Sequence, residues 1–244
     1  MSKQYKSPPL IEAYCEIQFQ GSKWDIIYPA EFYNAVKEDF PIKETIEIQD
    51  FHVVINDDNV GVKPNAQFSK PILQCTNEKQ NVIIQFTEKV LILRVVSPYI
   101  GWLSFKELIL DIHDKCFNII GDREIKRVNL VYKNTLKTGK SHSYENTKKY
   151  FNLYPNIPNN HDPNTGTAIQ MLVELPSKDN KSVLVIQQST LNPVNDIEAP
   201  IALNIKYICL FPESIQFESW LEDAHNSIQD TFESSITEFS KSKF

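Results

Sequence analysis

The chain repeats its own order of secondary-structure signals, and this repeat constrains the fold more than any other feature of the sequence. The apolar helical stripe that contains Phe105 returns 112 residues later, where Phe217 takes the same place. The alternating strand that contains Cys15 returns 115 residues later at Leu130. Self-similarity at a fixed spacing is typical of a duplicated structural unit. We therefore predict that the fold is built twice from one unit.

Each predicted unit contains a strand, a helix, three or four strands and a closing helix. The two halves are predicted at residues 1–122 and 123–244, packed as a single globular domain. Antiparallel strands combined with segregated helices are typical of an α+β protein, so we predict one curved antiparallel sheet with helices on one face. By element order this architecture resembles TATA-binding-like and helix-grip folds, and such an analogy does not transfer a function.

Hydrophobic periodicity gives bounds for these elements. In the first half, helical stripes cover 29–40 and 104–120, the latter with Ser104 as its predicted cap. In the second half, helices are predicted at 144–154 and from near Ser214 onward. The predicted strands lie at 10–19, 45–55 (one strand or two), 71–75, 82–86, 90–96, 127–132, 167–175, 182–188 and 202–210.

Composition argues against two common function classes. The chain has 25 basic and 31 acidic residues, a formal charge of −6, and only three arginines, Arg94, Arg123 and Arg127. Because arginine makes the bidentate contacts to phosphate and guanine, a nucleic-acid partner is not expected. The segment 138–141 resembles the end of a phosphate-binding loop, but Asn134 occupies the position of the first glycine. We predict no nucleotide and no other cofactor.

The compartment follows from apolar segments and cysteines. The start of the chain is polar, and its longest apolar run, at 90–96, is too short to span a bilayer. We predict a cytoplasmic protein without a membrane segment. No C-x-x-C pair occurs among the four cysteines, which are Cys15, Cys75, Cys116 and Cys209. They are predicted to be buried thiols rather than disulfides or metal ligands.

Candidate catalytic residues come from two places. His113 and His225 hold equivalent positions on the two closing helices, and they would act together only if they met between the halves. His161 and Asp162 lie in the Pro- and Asn-rich loop at 155–166, and long loops often carry function. Packed histidines and a solvated loop are the simpler interpretations. No histidine has further ligands at metal spacing, so no metal site is predicted.

Candidate binding residues lie on the first strand of each half. Glu12 begins an otherwise apolar strand, and we predict a buried ion pair between it and Arg127 that links the halves. A basic strip follows the first strand of the second half, and it would contact phosphates if the chain bound nucleic acid. The strip consists of Lys126, Arg127, Lys133, Lys137 and Lys140.

Several strands are apolar on both faces, among them the runs at 82–84, 90–93 and 183–186. An antiparallel sheet with one solvent-facing side should alternate. Either the chain covers both faces of the sheet itself, or one face meets a protein partner or a second copy.

Three stretches resemble a sporadically distributed family of uncharacterised bacterial proteins of similar length. The segment Pro8-Pro9-Leu10-Ile11-Glu12-Ala13 resembles its N-terminal signature, and 127–134 resembles its R-[VI]-x-L-R-Y-[VI]-N strand. The helix from Trp220 through Ala224-His225 to Thr237 resembles its closing helix. Val131 and Lys133 depart from the strand pattern, in place of an arginine and a hydrophobic residue. The family implies no reaction, and its patchy distribution resembles that of defence or toxin–antitoxin genes.

These observations favour a non-catalytic binding protein that engages a protein partner or forms a homodimer. Its most specific form is a component of a bacterial defence or toxin–antitoxin system. The alternative is a hydrolase that uses His161 and Asp162, or His113 and His225, in a cleft between the halves. A second alternative is nucleic-acid binding across the saddle of the sheet.

Overall fold

A computed structural model of the chain describes most of its length. The described residues are 5–20, 24–46, 51–56, 59–64, 72–121, 123–139, 142–156, 162, 166, 168–192 and 199–244, with the backbone alone in 51–56 and 59–64.

The first half of the chain forms seven strands and two helices. They are β1 (Leu10–Phe19), α1 (Tyr28–Val36), β2 (Ile42–Ile46), β3 (Phe51–Asn56), β4 (Asn59–Pro64), β5 (Ile72–Thr76), β6 (Val82–Phe86), β7 (Val90–Val96) and α2 (Trp102–Ile120).

The second half repeats this order with fewer strands. It contains β8 (Ile125–Lys137), α3 (Tyr144–Tyr150), β9 (Gln170–Pro176), β10 (Ser182–Thr190), β11 (Pro200–Cys209), a 3₁₀ turn (Pro212–Ser214), α4 (Phe217–Ser235) and α5 (Glu238–Lys241). The predicted boundary between residues 122 and 123 falls in the segment that joins α2 to β8.

Nine strands form one curved antiparallel sheet, in the order β2-β5-β6-β7-β1-β8-β11-β10-β9. The first strands of the two halves, β1 and β8, are neighbours at its centre. Cys15 of β1 pairs with Leu130 of β8, its own equivalent at the offset of 115. The sheet confirms the predicted α+β fold with a curved antiparallel sheet.

Two backbone hydrogen bonds at the two ends of the β1–β8 pairing follow the same symmetry. The N–H of Gln20 donates to the carbonyl of Glu124 at 2.8 Å. The equivalent N–H, that of Thr135, donates to the carbonyl of Pro9 at 2.9 Å. Donor and acceptor are both displaced by the same 115 residues, so an approximate two-fold axis passes through the β1–β8 pair.

The helices pack on one face of the sheet and bury the apolar stripes that the sequence predicts. The fully buried members include Phe105 and Ile112 of α2 and Leu221 and Ile228 of α4. On the other face, Ile83 is half-buried, whereas Val131 and Ala202 are buried. Among the described helices, none combines the length and the apolar character needed to cross a membrane.

Element bounds differ from the predictions where backbone geometry decides them. α2 begins before the predicted cap Ser104, because Gly101, at φ 88°, turns the chain into the helix. α3 ends at Tyr150, because Phe151 is extended and bridges to Ile236.

All four cysteines are free and buried, as predicted. Burial raises the pKa of Cys75 to about 11 and that of Cys116 to about 12. Cys15, Cys75 and Cys116 belong to the first half, and Cys209 belongs to the second.

Candidate functional site

A cavity of about 140 Å³ lies where the two halves meet beside α4. One wall is the N-terminal strap, which we define as residues 5–9, together with Leu10 at the start of β1. The other walls are β8 and α4. Because the strap precedes β1 while β8 and α4 belong to the second half, the cavity is shared between the halves.

Polar groups reach this cavity from β8 and from one face of α4. Tyr132 and Asn134 are two residues apart on β8 and therefore point to the same side of the sheet. His225 and Gln229 are four residues apart on α4 and therefore share a helix face. Asn134 donates its side-chain N–H to the carbonyl of Leu203 at 3.1 Å, which fixes the amide in place.

The strap is tied to the C-terminal part of the chain. The hydroxyl of Tyr5 donates to the carboxylate of Glu233 at 2.7 Å, and the N–H of Ser7 donates to the carbonyl of Phe244 at 2.9 Å. Lys241 lies 3.5 Å from Glu233 and 2.8 Å from Glu238, so its charge is shared between two carboxylates. These contacts hold the wall of the cavity that faces α4.

His225 is fixed from two sides. Its Nδ1 lies 2.8 Å from the hydroxyl of Tyr132, whose oxygen is 3.1 Å from the hydroxyl of Tyr99. The indole of Trp102 stacks on the imidazole, with ring centroids 4.1 Å apart and planes 6° from parallel. When Tyr132 donates to Nδ1, the proton of the neutral imidazole is on Nε2.

The surroundings keep His225 and Tyr132 uncharged. Burial lowers the pKa of His225 to about 4, although the nearby carboxylate of Glu222 acts in the opposite direction. Burial raises the pKa of Tyr132 well above its usual value. At neutral pH the Tyr132–His225 pair therefore offers hydrogen-bonding groups without charge.

Glu222 supports this arrangement from outside the cavity. Its carboxylate accepts hydrogen bonds from the indole N–H of Trp102 and from Lys106, each at 3.2 Å. Burial acts to raise the pKa of Glu222, but these two hydrogen bonds outweigh it, and the pKa is lowered. The charged carboxylate thus orients the indole that stacks on His225.

His113 does not join His225. It stacks between Phe117 and Phe217 at 4.4 and 4.7 Å, and its Nδ1 lies 2.9 Å from the carboxylate of Asp114. His225 instead packs on Trp102, eleven residues before His113 along α2, which corresponds to about 16 Å of helix. The joint histidine site considered in the sequence analysis is therefore not formed.

The other candidate loop contributes nothing to the cavity among the described residues. Asp162 is exposed, and it does not line the cavity. His161 and most of 155–166 lie outside the described residues. In the part of the chain that the structure describes, no group of three or more potential metal ligands occurs.

Glu12 has partners other than the one predicted. Its carboxylate lies 3.1 Å from Arg94 and 3.2 Å from Lys133. In the strand register, Arg127 lies opposite Gln18 near the start of β8, whereas Lys133 lies opposite Glu12 farther along the strand. The predicted Glu12–Arg127 pair is thus wrong, because the register places Lys133 opposite Glu12. The ion pair still links the halves through β8.

The residues of the predicted basic strip do not all face the same side of the sheet, and one of them is paired with a carboxylate. Lys126 and Arg127 are adjacent strand residues and point to opposite faces of the sheet. Lys133 is already paired with Glu12, and Lys137 is exposed. Lys140 lies outside the described residues.

Compared with known proteins, the chain matches no family model, and no curated protein matches it. The resemblance to the sporadic bacterial family therefore stays a prediction.

Most of the cavity does not follow from hydrophobic patterns or known motifs, although the repeat contained a signal for it. At the offset of 115, Ile17 corresponds to Tyr132 and Phe19 to Asn134, and at 112, Phe117 corresponds to Gln229. Each apolar residue of the first half is replaced by a residue with a polar group in the second. The three polar residues, Tyr132, Asn134 and Gln229, line the same cavity as His225.

Proposed function

We propose that this protein is a non-catalytic binding protein and that the cavity beside His225 takes a small ligand. The observation that carries the proposal is the contrast with the first half, where Phe19 and Phe117 pack edge-to-face at 5.9 Å around His113. The second half has Asn134 and Gln229 in their places, beside a cavity. Buried polar groups are costly unless they are paired, and convergent polar groups in a largely apolar cavity are typical of ligand sites.

Binding fits this site better than hydrolysis. A general base works best with a pKa near the working pH, and His225, with a pKa of about 4, takes up a proton poorly at neutral pH. None of the described residues that line the cavity is serine, threonine or cysteine. The hydroxyl next to the imidazole is that of Tyr132, and burial raises its pKa well above the usual value, which makes it a poor nucleophile.

Filling the cavity with the residue of the first half tests the ligand proposal. We expect saturation-transfer NMR with phenol, acetamide, choline and acetate to detect at least one bound probe in the native protein. Gln229→Phe should abolish that signal, because the ring occupies the cavity. Asn226→Ala, on an exposed position of the same helix, is the control and should bind as the native protein does.

Either of two results would contradict the ligand proposal. One is that none of the four probes binds the native protein at millimolar concentration. The other is that Gln229→Phe, with an unchanged circular dichroism spectrum, binds the probes as well as Asn226→Ala.

A second binding function, engagement of another copy of the chain, is favoured by an asymmetry between the two sheet edges. The edge strand β2 exposes Lys43 and Glu44, and charges of this kind normally discourage edge pairing. The opposite edge strand, β9, exposes Leu172 at 62% and Leu175 at 47%. Antiparallel pairing of two β9 strands about Val173 would place Leu172 of one copy opposite Glu174 of the other, so no like charges would face each other.

Sedimentation velocity tests the self-association. We expect a concentration-dependent dimer for the native chain and a monomer for Leu172→Lys. Leu103→Lys is the matched control, because Leu103 is 70% exposed on α2, away from the edge, and its replacement should leave the dimer intact. A monomeric native chain, or equal dimerisation of the two variants, would exclude this mode.

The most specific form of the binding proposal is an antitoxin-like component of a bacterial defence system, and only the family resemblance supports it. Its test is co-expression with the product of an adjacent gene. Relief of growth arrest by this chain would support the role, and growth arrest that persists would remove it.

A further inference from the structure

The cavity beside His225 has a charge preference. Among the residues that the structure describes, Glu233 is the only Asp, Glu, Lys or Arg side chain that lines it. His225 adds no positive charge at neutral pH, because its half-buried ring has a pKa of about 4 and is neutral. The nearest cation, Lys241, lies 3.5 Å from Glu233 but does not line the cavity, and it is shared with Glu238, so the two carboxylates and the one ammonium group carry a net negative charge. An anionic ligand would therefore be repelled, whereas a cationic ligand would be attracted.

Aromatic rings surround the same space. Tyr5 belongs to the strap, Tyr132 to β8 and Phe232 to α4, and all three line the cavity. The faces of aromatic rings attract cations, and several rings with a nearby carboxylate are the usual receptor for alkylammonium groups. This composition favours an organic cation over an inorganic one, since most of the lining offers no oxygen ligand.

The first half fills its equivalent site with a cation of its own. At the offset of 115, Arg123 corresponds to Pro8 of the strap. The guanidinium of Arg123 lies over the ring of Phe19 at 5.9 Å and over that of Trp24 at 5.7 Å. The second half has proline at this position, and Lys6, the cationic residue of the strap, is exposed and does not line the cavity.

We propose that the cavity binds a small alkylammonium cation of the size and shape of choline, with Glu233 as its counter-charge and the rings of Tyr5, Tyr132 and Phe232 around it. The volume of about 140 Å³ suits this size, since cavities of roughly 150 Å³ hold a benzene molecule. This inference rests on the proposed function of the cavity as a ligand site.

Calorimetric titration with choline and with its uncharged isostere, 3,3-dimethylbutan-1-ol, tests the charge preference. We expect choline to bind the native protein about 10-fold more tightly than the alcohol, the difference that cation–π contacts and one carboxylate supply. Glu233→Gln should remove most of this difference while it retains an oxygen acceptor for Tyr5. Glu238→Gln is the matched control, because Glu238 also contacts Lys241 but does not line the cavity.

A second pair of variants separates the ring of Tyr5 from its hydroxyl. Tyr5→Phe keeps the ring and should retain choline binding, whereas Tyr5→Leu should weaken it about 10-fold. Equal affinity for choline and the alcohol in the native protein, or undiminished choline binding by Glu233→Gln, would overturn the inference.

The two proposals fail separately. If the alcohol or phenol binds and Gln229→Phe blocks it, while choline has no advantage, the cavity remains a ligand site and the cation preference is wrong. If neither choline nor any uncharged probe binds the native protein, both proposals are wrong.

Discussion

The two halves place a histidine at the same point of their closing helices and surround it with different chemistry. In the first half, His113 stacks on Phe117, which packs against Phe19. In the second half, His225 accepts or donates a hydrogen bond at Tyr132 and borders a cavity. Because the backbone around both sites follows one symmetric plan, the difference comes from a few side chains rather than from a different fold.

Two similar halves of one fold can divide structural and binding tasks between them. The site around His113 stabilises the structure through aromatic packing, which contributes most when no space is left. The site around His225 gives up part of that packing and holds polar groups at a cavity. The free energy of unfolding should therefore depend more on the first site, and ligand binding on the second.

The largest expected effect is a difference in stability between equivalent truncations. Phe19→Ala removes a ring that is 6% exposed and should lower the free energy of unfolding by about 3 kcal/mol. Asn134→Ala, at the equivalent position, removes one hydrogen bond beside an existing cavity and should cost about 1 kcal/mol. Guanidinium denaturation measures both values. Equal costs would break the comparison between a packed site and an open one.

A smaller effect is expected from the hydroxyl that connects the aromatic chain to His225. Tyr132→Phe leaves the Nδ1 of His225 without its partner and should cost about 1.5 kcal/mol. Ile17→Val at the equivalent position only shortens an apolar side chain and should cost about 1 kcal/mol. The more specific measurement is the ¹⁵N NMR spectrum of the His225 ring. In Ile17→Val the ring should keep one tautomer, whereas in Tyr132→Phe it should populate both. An unchanged tautomer would mean that Tyr132 does not orient the ring.

The smallest effect is a dependence of stability on pH. The pKa of His225 is lowered from 6.5 to about 4 in the folded protein, so the unfolded chain binds more protons between these values. Stability should therefore be complete above pH 6.5 and fall as the pH approaches 4, by about 1 kcal/mol once solvent screening of this partly exposed ring is allowed for. Glu222 is the acidic group that opposes the shift. His225→Gln should flatten this part of the profile, and an unchanged slope would assign the dependence to other groups.

Much of the fold could be predicted from periodicity, and the reasons for the errors are local. The stripe of α2 predicts its buried face, but its start is set by Gly101, whose positive φ no hydrophobic pattern reveals. β8 is predicted to stop at Tyr132 because polar residues follow. It continues because its backbone pairs with β11 as far as Lys137, opposite Pro200, and the amide of Asn134 is satisfied on Leu203 of the same neighbouring strand.

The site was less predictable, because its contacts join distant parts of the chain. The sequence indicates His225 as a candidate, yet its partner Tyr132 lies 93 residues away. It also indicates Glu12 as a paired carboxylate, but the choice between Arg127 and Lys133 depends on the register of β1 and β8. Local patterns indicate which residues are unusual, and the pairing of strands decides which of them meet.

The four buried cysteines give the molecule a built-in reporter of which half opens first. A thiolate reacts with an alkylating reagent only when it is exposed, and all four thiols are shielded in the folded chain. Alkylation in native buffer, followed by peptide mass spectrometry, would measure the labelling rate of each cysteine. The rates of the three cysteines of the first half can then be compared with that of Cys209 in the second half. If the first half opens less often than the second, Cys209 is alkylated before Cys15, Cys75 and Cys116.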